Sequence, residues 1–99
     1  FDQANFFIWQ KLGLKVRAMS PAQKANANTN SGVQITAIQE PAVAAGLSVG
    51  DLVLNINQQY IKSVEQLNLA AKKLTTGDTV FIYVVRNNMR QFVGINVAE

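Results

Sequence analysis

Pro41-Ala42-Val43-Ala44-Ala45-Gly46-Leu47-Ser48-Val49-Gly50-Asp51-Leu52-Val53-Leu54 is the stretch that decides this fold. Pro41 to Ala45 allows one or two helical turns, and Gly46 stands where helices end in left-handed geometry. Leu47-Ser48-Val49 then leads to a turn at Gly50-Asp51 and into a strand from Leu52 to Asn57.

Toward the C-terminus, Gln58-Gln59 makes a tight connection to Tyr60-Ile61. Ser63 and Gln66 have the spacing of a capping box, which opens a helix from Val64 to Leu74. Gly77-Asp78 turns the chain into a strand from Thr79 to Arg86. Asn87-Asn88 suits a two-residue hairpin because Asn tolerates positive φ, and a last strand runs from Arg90 to Val97.

Toward the N-terminus, Gly32 to Ile38 is a strand with Val33, Ile35 and Ala37 on one face. Asn26 to Asn30 is a loop by composition. Ser20-Pro21-Ala22-Gln23 supplies an N-cap, a proline at the first helical position and a glutamine three residues after the cap, so a short helix follows. Leu14, Val16 and Ala18 alternate with Lys15 and Arg17, a strand with one buried and one charged face. Phe6-Phe7-Ile8-Trp9 is too hydrophobic for a free tail. It packs either on the domain's own core or on a neighbouring domain or subunit. Residues 1–10 are accordingly taken as a linker or docking segment ahead of a domain at 11–99. The expected fold is α+β but mainly β: a partially open antiparallel barrel of five to six strands capped by two helices.

Composition narrows the function. The 99 residues, 48% of them hydrophobic, suffice for one core. Cysteine and histidine are absent, which removes a thiolate nucleophile, the usual general base and the commonest metal ligands. The six acidic residues show no ligand spacing, so no metal or cofactor is expected. Net charge is +3, but the longest like-charge run is Lys72-Lys73, too sparse for a nucleic-acid surface. The longest apolar run, Val80 to Val85, falls far short of the roughly 20 residues that span a bilayer. Phe1 in place of an initiator Met points to a piece of a longer chain. Ser20 with Lys24 has dyad spacing, yet Ser20 is an N-cap and Lys24 has nothing to desolvate it. Gly46 to Asp51 lacks the Gly-Lys-Ser/Thr ending of a phosphate loop.

The ordered series Leu12-Gly13-Leu14, Gly32-Val33, Pro41 to Leu47, Val49 to Leu54, Asn57, Ser63 to Leu67, Gly77-Asp78 and Arg86 resembles a PDZ domain of the HtrA/Deg-type serine proteases. The likeness covers about residues 10 to 97, and the Pro-Ala-x-x-Ala-Gly-Leu-x-x-Gly-Asp run is its most specific part. A loop near the N-terminus and a closing hairpin at the C-terminus match the circularly permuted bacterial arrangement. Departures are the short Gln39-Glu40 link, the Asn-rich loop, and Ala71 where a larger aliphatic is common.

The resemblance implies a non-catalytic peptide-binding module. The N–H groups of Leu12, Gly13 and Leu14 would meet a peptide carboxylate, with Lys11 adding charge. The strand bearing Val16 and Ala18 would pair with the peptide, and Val64, Asn68 and Ala71 would wall the groove on one helix face. Leu67, Ala70 and Leu74 form the adjoining core stripe. Apolar Val64 and small Ala71 imply hydrophobic ligands. The implied partners are hydrophobic C-terminal segments, the parent protease domain and further copies of the chain, in a periplasm or cell envelope. Two alternatives stand beside this. One is a scaffold with a vestigial groove used for oligomerisation. The other is a PDZ module of another envelope protease (a site-2 metalloprotease or a tail-specific protease) or of a secretion component.

Overall fold

The computed structural model describes residues 5–29 and 32–97; Phe1 to Ala4 and Asn30, parts of two segments discussed above, lie outside them. Strands β1 (Leu14–Ala18), β2 (Val33–Ile38), β3 (Leu52–Ile56), β4 (Gln59–Tyr60), β5 (Thr79–Arg86) and β6 (Met89–Asn96) form one antiparallel sheet. The order is β1-β2-β3-β5-β6, and β4 pairs with the far half of β3. The sheet does not close on itself. Its ends are β1 and β6, which places the edge of β1 within reach of another chain segment.

Helices α1 (Pro21–Asn26), α2 (Ala42–Ala45) and α3 (Val64–Lys72) accompany a five-residue π-helix, Ile8–Leu12. Local chemistry sets most of their limits. Ser20 and Gln23 form a reciprocal capping box at the start of α1. The Ser63 hydroxyl accepts from the Gln66 amide and opens α3, which ends at Lys72 rather than Leu74. Gly46, at φ 93°, stops α2 and returns its N–H to Ala42 and Val43. Asn87 and Asn88, at φ 52° and 64°, close the β5–β6 hairpin as expected.

Two expectations need correction, and one irregularity is new. The turn before β4 is Asn57-Gln58, both at positive φ, so Gln59 belongs to the strand. The buried alternation of β1 stops at Val16: Ala18 is exposed where the strand ends, and Met19 takes the inward position. The pairing of β1 with β2 slips between Lys15 and Val16, leaving Thr36 unmatched. The Thr36 hydroxyl donates to the Lys15 carbonyl at 3.1 Å and holds this bulge.

Leu14, Val16, Val33, Ile35, Val53, Ile82 and Val84 from the sheet pack with Leu47, Leu67 and Ala71 in a single core. Asp51, 3% exposed, pins the decisive stretch to this core. Arg86 grips it with both ends of its guanidinium, at 2.8 and 2.6 Å, and also donates to the Gly46 carbonyl at 2.8 Å. The Ser48 amide donates to the same carboxylate at 3.0 Å. The hydrogen bond to Asp51, and then its charge, raise the Arg86 guanidinium above its ordinary value. A raised cation keeps its partner until the pH climbs through that raised value, so the clamp persists through neutral and alkaline conditions.

Gly13 has φ 76°. A Cβ there would sit 2.8 Å from the Glu40 carbonyl oxygen and closer still to that of Gln39. The glycine is therefore required by the Gln39-Glu40 link, which passes against it. Gly13→Ala is expected to lower unfolding free energy by at least about 2 kcal/mol, from left-handed strain and backbone overlap together. A urea midpoint unchanged from the parent would contradict this packing.

Candidate functional site

The expected slot lies between the outer edge of β1 and helix α3, and the chain's own residues Asn5 to Leu12 occupy it. The π-helix Ile8–Leu12 contacts both elements. Ile8 and Leu12 are fully buried in the same core as Leu67 and Ala71. Phe7 packs against that core, and the Lys72 ammonium sits 5.8 Å above its ring.

The polar contacts are specific. The Val16 N–H donates to Asn5 Oδ1 at 2.8 Å, and Asn5 Nδ2 donates to the Val16 carbonyl at 3.1 Å. Asn5 is 1% exposed, so one side-chain amide meets both main-chain groups of a strand residue away from water. Across the slot, the N–H groups of Phe7 and Ile8 donate to Asn68 Oδ1 at 2.8 and 3.3 Å. The Lys11 ammonium donates to the carbonyls of Lys72 and Leu74, at 2.9 and 2.6 Å, and so caps the C-terminal end of α3. The Gly13 N–H donates to the Trp9 carbonyl at 3.1 Å, and that oxygen also accepts from Gln39 Nε2.

The residues singled out from sequence are thus brought together, but with internal partners. Lys11 faces carbonyl oxygens of α3 instead of an open anion site. Leu12 and Leu14 are fully buried, and the Gly13 amide already has an acceptor. Val16 lies at the edge with both groups in use. Val64 is half-buried, Asn68 holds the N-terminal segment, and Ala71 is covered, while Ala18 stands exposed at the strand's end. Sequence reasoning missed Asn5, Phe7 and Ile8 as occupants. The density of Phe6-Phe7-Ile8-Trp9 signalled packing, but nothing local said against which surface.

Comparison with known proteins fits this geometry. Residues 11–97 match the PDZ domain family. The chain belongs to that family. A probable periplasmic serine endoprotease DegP-like of Pseudomonas putida (strain W619) is 32% identical over 90 residues, which is 90% of this PDZ domain and 19% of that protein. The protein of the same description from Chlamydia trachomatis is 30% identical over 95 residues, again 91% of the chain and 19% of the relative. The chain therefore spans about a fifth of the length of these curated relatives. Among solved structures, the HtrA-type protease AlgW with decapeptide superposes at TM-score 0.76 and 22% identity, covering 90% of the PDZ domain and 29% of that chain. The HtrA3 PDZ domain bound to a phage-derived ligand superposes at 0.72 and 18% identity, covering 86% and 81%. These likenesses establish the fold.

The Asn68 bonds give a test of the slot's contents. Asn68→Ala removes the acceptor of two amides and is expected to lower stability by about 1–2 kcal/mol. Leu69→Ala, at a position 58% exposed on the next face, should stay within about 0.5 kcal/mol. Equal urea midpoints for the two variants would show that Asn68 holds nothing.

Proposed function

We propose that this PDZ domain is a non-catalytic peptide-capture module of a DegP-like serine endoprotease in the bacterial periplasm. It takes hydrophobic C-terminal segments of substrate or regulator polypeptides onto β1 and informs the parent protease domain of their presence in protein quality control. The carrying observation is the Asn5–Val16 pair. The edge of β1 presents an N–H and a C=O at the spacing one amide group satisfies, which is what addition of a peptide strand requires.

In this reading Val16 and Ala18 offer the pairing edge, and Val64, Asn68 and Ala71 wall the groove. The amides of Leu12, Gly13 and Leu14 receive the terminal carboxylate once the Gly13 N–H lets go of Trp9, and the Lys11 ammonium lies next to them in sequence. A carboxylate leaves water at a cost that such hydrogen bonds offset. The apolar lining selects hydrophobic ligands. The names of the relatives support the parent enzyme and its compartment, and the chain itself, without histidine or cysteine, leaves the chemistry to other parts of the parent.

A second reading has an observation of its own. Complete burial of Ile8 and Leu12 in the slot favours a scaffold in which the groove is closed and exposed Phe6 contributes to assembly. Titration of the chain with hydrophobic C-terminal peptides, free and amidated, separates the two. Capture predicts saturable binding that amidation weakens at least tenfold, in a monomer. Dimerisation that rises with concentration, with no response to any peptide, would decide for the scaffold.

A further inference from the structure

We infer that Asn5 to Phe7 form a built-in substitute ligand, held where an incoming peptide pairs with β1 and exchanged for it on binding. The inference rests on the peptide-capture reading and adds the regulation of the same site.

The chemistry of Asn5 carries it. A side-chain carboxamide holds an NH2 donor and a carbonyl acceptor side by side, the two kinds of group that a residue of a paired strand presents with its own N–H and C=O. Both reach Val16, one in each direction, in the manner of a paired strand residue. Leaving a buried N–H and C=O without partners is costly. An emptied slot would leave both groups to water, and Asn5 pairs them within the protein instead. A peptide that arrives on β1 restores the same two bonds, so the exchange is nearly neutral for the main chain. Side-chain packing and the terminal carboxylate then decide which occupant stays.

The rest of the segment is fastened in ways that suit exchange. The Phe7 amide is held by Asn68 Oδ1, on the wall that faces the groove, and its ring packs at the margin of the core below the Lys72 ammonium. Phe6 is 45% exposed and meets the Phe7 ring edge to face at 5.0 Å, so the two rings leave the slot together. Ile8 and Leu12, by contrast, are sealed in the core. They mark where displacement ends, leaving Asn5 to Phe7 as the movable part. Between them lies a π-helix, a rare winding with ready alternatives, whose Ile8 and Trp9 carbonyls share the Gly13 amide. Rewinding one turn there frees that amide for a carboxylate.

Apparent affinity scales with the fraction of molecules whose slot is open. The 99-residue chain and its Asn5→Ala variant are titrated with the labelled pentapeptide Phe-Gly-Arg-Trp-Val, the phage-derived ligand named above, and amide hydrogen exchange is followed in parallel. Binding about tenfold tighter in N5A, and loss of protection at Phe7 in the parent on saturation, support the exchange. Equal affinities with unchanged protection at Phe7 overturn it while leaving peptide capture intact. No binding by either chain overturns the capture reading and the exchange with it. If N5A fails to fold, Asn5→Asp keeps the acceptor and the volume, removes the donor, and is read in the same way.

Discussion

The structure depends on one constraint: the N–H and C=O of Val16 face outward from the last strand of an open sheet and cannot be left unpaired in a buried slot. β2 uses the other edge of β1, and the Thr36 bulge fixes which residues of β1 point inward. The side chain of Asn5 answers the constraint from within the molecule. The same segment buries Ile8 and Leu12 in the core and engages Asn68 across the slot.

A second fastening, remote from the slot, holds the frame. Asp51 closes the turn after α2 and receives Arg86 from the end of β5, so residues far apart in sequence are tied through one carboxylate. Gln39 ties the loop before β1 to the α2 approach from two directions, by its amide to the Gly13 carbonyl and by its side chain to that of Trp9. The short Gln39-Glu40 link, a departure from the family pattern, is thereby the surface against which Gly13 must fit.

What could be read from sequence was what local chemistry dictates. The box at Ser20, the serine cap at Ser63, the stop at Gly46 and the Asn87-Asn88 turn each involve groups a few residues apart and formed where expected, except that Gln66 turns its side chain to the Lys62 N–H and leaves the Ser63 box half made. The slot's two walls were also legible, since β1 shows a period of two and α3 a helical face. The content of the slot was not. Asn5 reaches eleven residues forward and Phe7 sixty-one, and no spacing rule covers such pairs. The π-helix has no propensity signature of its own, because its winding is imposed by packing between two elements. Ala18 was misplaced for a related reason: strand periodicity does not announce where a strand stops.

Lys11 has a consequence beyond the slot. Nine residues make too short a helix to persist unaided, and α3 is gripped by the N-terminal segment at its middle through Asn68 and at its end through the carbonyls of Lys72 and Leu74. The final turn of α3 and the start of the Thr75–Asp78 bend are therefore on the same tether as the occupant. That tether fixes the point at which the chain leaves α3 and turns toward β5.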